Sequence, residues 1–176
     1  THGALDALDA IEARASVEPD AVVSVLVETY PDAARLTETH PENDLEAKFS
    51  IPFAVATRLL NGNSAKASFA DDALTEEAYA LAERVSVAAA DDLAARVPEA
   101  RSTRVTIELS DGTALTEDIR YPKGDERNPW SVEELREKSR TLAVPVVGEG
   151  TAEELWELAR GLPASDPRAL CEAGRP

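Results

Sequence analysis

The chain has 176 residues and a formal net charge of −16, from 34 acidic against 18 basic side chains. That length is enough for one domain with a real core and an appended piece, and the charge excludes nucleic acid and anionic membrane surfaces, whose phosphates it repels. No stretch approaches the ~20 apolar residues of a membrane span, "THGALDALDA" lacks the segments of a signal peptide, and the single Cys171 excludes an internal disulfide framework and a cysteine-based zinc site.

In "GALDALDAIEARAS", Leu5, Leu8 and Ile11 recur at helical spacing with alanines between them, which predicts a helix. The valine-rich "DAVVSVLVETY" predicts a strand over 21–29. A polar connection, "TETHPEND", follows Pro31. The segment 48–62 predicts a helix with Ser50 and Pro52 at its start and Gly62 as its C-cap. Thr75 and the two glutamates after it start a further helix, and "RVSVAAAD" predicts a short strand.

The clearest local signal is "TRVTIELSDGTALTEDIRY". Val105, Ile107 and Leu109 alternate with polar residues, and Asp111-Gly112 marks a hairpin turn before Leu115 and Ile119. "PKGDERNP" is a loop. Ser131 with Glu134 three residues on is a capping-box pattern opening "SVEELREKSRTLA". "TAEELWELARGL" repeats the logic, with Thr151 capping and Gly161 near the end. The tail "PASDPRALCEAGRP" reads as irregular. The order is helix, strand, helices, strand, hairpin, helices. It predicts an α+β fold: a small antiparallel sheet with helices packed on it, followed by C-terminal helices.

The acids are spread along the chain, and only Lys48, Lys66, Lys123 and Lys138 are lysines. Acid excess with scarce lysine points to a surface adapted to high salt, where screening suppresses self-repulsion. The chain has no methionine and begins at Thr1, so it is expected to be processed or part of a longer polypeptide.

Few residues carry chemistry. The histidines are His2 and His40. His2 lies one residue before the first predicted helix, and an imidazole there is suited to general acid or base work; an end residue with no role is the plainer alternative. His40, before Pro41, reads as solvated. His2, Asp6 and Asp9 are too thin a set for a metal site, and no metal is expected. Ser50 and Pro52 are accounted for by a helix start. Lys48 is not, and a lysine beside a helix N-terminus forms a place for an anion such as a carboxylate.

Three stretches carry a family resemblance. "THGALDAL" resembles the TH-x-x-x-DA segment of the MmgE/PrpD family, whose best-known members are 2-methylcitrate dehydratases. "EAKFSIPFAVATRLLNG" resembles that family's next signature. "VTIELSDGTALTEDIRYPKGDERNPWSVEELREKSRTLA" resembles its hairpin, G-D-x-x-N-P loop and following helix. The resemblance covers residues 1–162.

It implies an α+β lid-like domain over residues 1–146, and a C-terminal helix and tail over 147–176 that pack on a helical domain missing from this sequence. It also implies a cytoplasmic lyase that acts on small polycarboxylates with no metal or organic cofactor, homodimeric at full length. Dehydration in propionate metabolism is the first reaction of this kind; decarboxylation of cis-aconitate and epimerisation of iminodisuccinate are the others. His2 matches the family's cleft histidine and is the expected catalytic residue. Lys48, Ser50 and Phe53 are the expected substrate-binding residues, Phe53 standing where many members have tyrosine. A stand-alone binding domain without chemistry is the alternative from another class.

Overall fold

The computed structural model describes residues 1–162 and 167–174. They divide into two compact units, Thr1–Asn128 and the residues from Pro129 on.

In the first unit the strands follow the valine and isoleucine alternation. They are β1 (Val22–Thr29), β2 (Val85–Ala89), β3 (Thr103–Leu109) and β4 (Ala114–Ile119), in the order β2-β1-β3-β4. Strands β1 and β3 pair antiparallel, with Val27 opposite Val105 and Val25 opposite Ile107. The hairpin to β4 turns where the sequence predicts. Gly112 takes φ +87°, and the Asp111 carboxylate accepts from the Thr113 amide at 2.8 Å.

The α+β class stands, with one departure from the all-antiparallel expectation: β2 pairs parallel to β1, Val25 opposite Val85. Between them lie helices α2 (Asp44–Lys48), α3 (Ile51–Asn61) and α4 (Glu76–Ala82). That connection is long enough for a crossover, so the next strand returns in the same direction.

Helix α1 (His2–Glu12) and α3 cover one face of the sheet. Leu8, Ile11, Val25, Val27, Val55, Val105 and Ile107 are fully buried between these layers. The short helix α5 (Asp91–Ala94) follows β2 and was not expected.

The helix predicted to start at Ser50 is α3, with Ser50 extended (φ −102°, ψ 122°) as its N-cap; Lys48, placed in the same segment by the sequence, instead ends the separate helix α2. The Ser50 hydroxyl accepts from the Phe53 amide at 2.9 Å, and Pro52 sits in the first turn, where no intrahelical donor is needed. Gly62 closes α3 in the left-handed region, as expected.

In the second unit the Ser131–Glu134 capping box forms and opens α6 (Val132–Val147). Helix α7 (Glu149–Arg160) starts before Thr151: Gly148 turns the chain at φ +78° and takes the N-cap, leaving Thr151 inside the helix. Arg136 meets Glu153 and Arg140 meets Glu149, so the two helices run antiparallel. The tail is not wholly irregular, since α8 spans Pro167–Ala173; residues 163–166 and 175–176 lie outside the described residues.

The sheet face away from the core is mostly polar, with Leu26 an exposed apolar exception. Glu28, Arg104 and Asp118 stand opposite one another across β1, β3 and β4, and Arg104 also reaches Asp92 at 2.5 Å. The hydrogen bond from Arg96 holds the Asp118 carboxyl below the ordinary carboxylate range. Such exposed pairs contribute only about 0–1 kcal/mol each, and salt weakens them. Repulsion among the excess acids acts over the whole surface and is screened as well. With a net charge of −16 the repulsive term is expected to be the larger one. Thermal stability is therefore expected to rise from low to molar salt; melts that stay flat or fall on adding salt would refute the high-salt reading.

Candidate functional site at the shared end of two helices

Helices α1 and α3 lie side by side and run in the same direction. Near their starts, Leu5 shares one buried cluster with Ala47, Phe53 and Ala54. Further along, the Arg58 guanidinium on α3 is gripped by Asp9 at 2.7 Å and Glu12 at 2.6 Å on α1. Burial alone would lower the Arg58 group, but these two carboxylates hold it above its ordinary range. The parallel course brings the first turn of α1, with His2, to the same end as the first turn of α3, with Ser50.

The four predicted residues differ in availability. His2 is the first residue of α1 and is exposed. Lys48 ends α2 and is exposed, but its ammonium donates to Asp44 at 2.7 Å, one turn back. That is a solvated i,i+4 pair, which contributes little to stability. Ser50 is fully buried; besides capping α3, its hydroxyl donates to the Glu38 carbonyl. Phe53 is fully buried too, its ring 5.9 Å from that of Tyr79. His40, expected to be solvated, is exposed but stacks on Tyr79 at 4.7 Å.

Because Lys48 is exposed and its pair is weak, Lys48→Ala is expected to change stability by no more than about 0.5 kcal/mol. If it binds a substrate carboxylate, the variant of the full-length protein raises KM. If its stem only covers apolar surface, Tm alone moves.

The sequence reading weighs Asp6 only as a metal ligand and gives Lys123 no role in the site. The Asp6 carboxylate, one turn after His2, accepts from the Lys123 amide at 2.5 Å. Burial raises the Asp6 carboxyl above the ordinary range; the Lys123 amide opposes this, and the charges of His2 and Lys123 act on it as well. Asp6 stands in the TH-x-x-x-DA motif and Lys123 in "PKGDERNP", but no spacing rule joins two stretches so far apart in the chain.

Gly3 lies against the sheet. A Cβ there would stand 2.6 Å from the Thr103 hydroxyl, so only glycine lets α1 approach this closely. Among the described residues no group of three or more His, Cys, Asp or Glu side chains is arranged to hold a metal. An open depression of about 550 Å³, lined by Thr57, Asn61, Ser68 and Glu77 among others, lies between α3 and α4, and none of the four predicted residues lines it.

The arrangement offers an exposed imidazole at His2 and an exposed ammonium at Lys48, the latter paired with Asp44. The family description "MmgE/PrpD C-terminal domain" matches residues 1–163. The chain belongs to the MmgE/PrpD family. Cis-aconitate decarboxylase of Aspergillus terreus is 28% identical to it over 130 residues, covering 72% of this chain and 26% of the relative. Cis-aconitate decarboxylase of Aspergillus terreus (strain NIH 2624 / FGSC A1156) gives the same figures. This MmgE/PrpD C-terminal domain thus spans about a quarter of the length of the curated relatives it matches. No helix among its described residues is long and apolar enough to cross a membrane.

Proposed function

We propose that this chain is the lid-bearing C-terminal domain of a cofactor-free lyase resembling 2-methylcitrate dehydratase, acting on small polycarboxylates. The observation that carries the reading is the match to the family's C-terminal domain over residues 1–163, which includes an exposed histidine at the start of α1. Dehydration next to a carboxylate needs a base to take the proton and cations or amide donors to hold the carboxylates. His2 is the base or acid. Lys48 adds a positive charge, and Ser50, whose hydroxyl and first-turn amides are already bonded within the chain, holds the start of α3 beside it. Phe53 contributes the apolar wall behind them.

An upstream helical domain supplies the remaining catalytic groups, and the full-length protein is a homodimer. Exposed Val132, Leu135, Leu142 and Val146 on α6 are an apolar face of the kind that further protein covers. A second reading, decarboxylation of cis-aconitate, is favoured by the relatives of that name.

The test is an assay of the full-length protein against 2-methylcitrate, citrate, cis-aconitate and iminodisuccinate. Turnover of 2-methylcitrate supports the first reading, and release of carbon dioxide from cis-aconitate the second. No turnover of any of the four leaves the stand-alone binding domain as the better account. The isolated 176-residue chain is expected to turn over none of them, because a partial constellation loses the positioning on which rate depends.

A further inference from the structure

The Tyr121–Asn128 loop is held together by its own bonds. The Gly124 amide donates to the Asn128 carbonyl at 2.8 Å, and the Asp125 amide to the Pro122 carbonyl at 3.0 Å. The Asn128 side chain donates to the Tyr121 carbonyl at 2.9 Å, and the Arg127 guanidinium stacks 5.0 Å from the Tyr121 ring centroid. These bonds tie the two ends of the loop together. Asp6 joins the loop to α1 through the Lys123 amide. A second clamp lies one residue from His2, where Gly3 presses on Thr103 with Pro122 close behind. The first turn of α1 is therefore bracketed by the sheet and by this loop. The charged groups acting on the Asp6 carboxyl are Asp9 and His2 on its own helix and Lys123 on the loop.

We propose that Asp6 is a positioning residue: through the Lys123 amide it locks the Tyr121–Asn128 loop to the His2 turn, so that the His2 imidazole and the Lys123 ammonium are presented together to a carboxylate substrate. This rests on the functional reading above and extends it in two ways. It adds a cation that the sequence reading did not single out, and it gives the loop a task. A carboxylate suits the latch, since it accepts the amide while its charge draws in both cations. Geometry is what such a latch controls, and a misplacement of about 1 Å can cost on the order of 100-fold in rate.

The experiment is a double-mutant cycle in the full-length protein, read on whichever polycarboxylate it turns over. Asp6→Ala is expected to lower kcat/KM by about ten- to a hundredfold, mostly in kcat. Asp6→Asn, which keeps an oxygen acceptor for the Lys123 amide, recovers much of that loss. In a His2→Ala background Asp6→Ala is expected to cost little more, because it acts through His2. Lys123→Met keeps the backbone latch and removes the ammonium, so it raises KM with kcat largely kept.

Hydrogen exchange at the Lys123 amide gives a readout free of activity: slow in the wild type, fast in Asp6→Ala. Equal exchange in the two overturns the latch. Losses at Asp6 and His2 that simply add overturn the positioning role, and an unchanged KM in Lys123→Met overturns the role of the ammonium. If His2→Ala itself leaves kcat/KM intact, the functional reading fails and the positioning role falls with it, while exchange still reports on the latch.

Discussion

His2→Ala in the full-length protein is expected to lower kcat/KM by about 10²–10⁴-fold, the usual contribution of a general acid or base. The reason is chemical. Reactions next to a carboxylate carbon require a proton to leave or arrive at near-neutral pH, and imidazole is the side chain whose unperturbed titration lies there. His2 is exposed at the first turn of α1, with the Asp6–Lys123 latch one turn away. The same exposure predicts what stays constant. A surface substitution of this kind moves stability by about 0.5 kcal/mol or less, so Tm should hold while turnover collapses. Retention of near-full kcat/KM would end the catalytic assignment. A large fall in Tm would point to a structural role.

Phe53→Ala is expected to destabilise the chain by about 3–5 kcal/mol, the range for truncating a large buried aromatic side chain. Phe53 is fully buried, and its cluster joins α1 through Leu5, α2 through Ala47 and α4 through Ala78. One truncation therefore loosens three helices at the end where His2 sits. Phe53→Tyr separates packing from function. Many family members carry tyrosine here by resemblance, yet a hydroxyl placed in this apolar cluster without a partner costs about 1–3 kcal/mol. Urea unfolding of the chain measures both. If Phe53→Tyr were as stable as the wild type, residue 53 would face solvent or a polar partner, and its place would be in the site instead of behind it.

What the sequence settled was local. Ser50, Thr75 and Ser131 cap helices because each hydroxyl is satisfied by an amide three residues on. The 103–119 hairpin was legible because alternation and a turn dipeptide act within one short span. The family motifs led to His2 for the same reason: each is a contiguous string.

What only the tertiary structure decided was long-range. Nothing in "RVSVAAAD" states that it pairs parallel with β1; that follows from the helices packed between the two strands. The family resemblance offers Phe53 as a substrate contact; that it is buried in one cluster with Leu5 and Phe69 is visible only in the fold. Arg58 is held by carboxylates 46 and 49 residues away, and Asp6 meets an amide 117 residues away. Such contacts form only when burial of apolar faces brings distant segments together, and a one-dimensional pattern carries no record of which polar groups will then face each other.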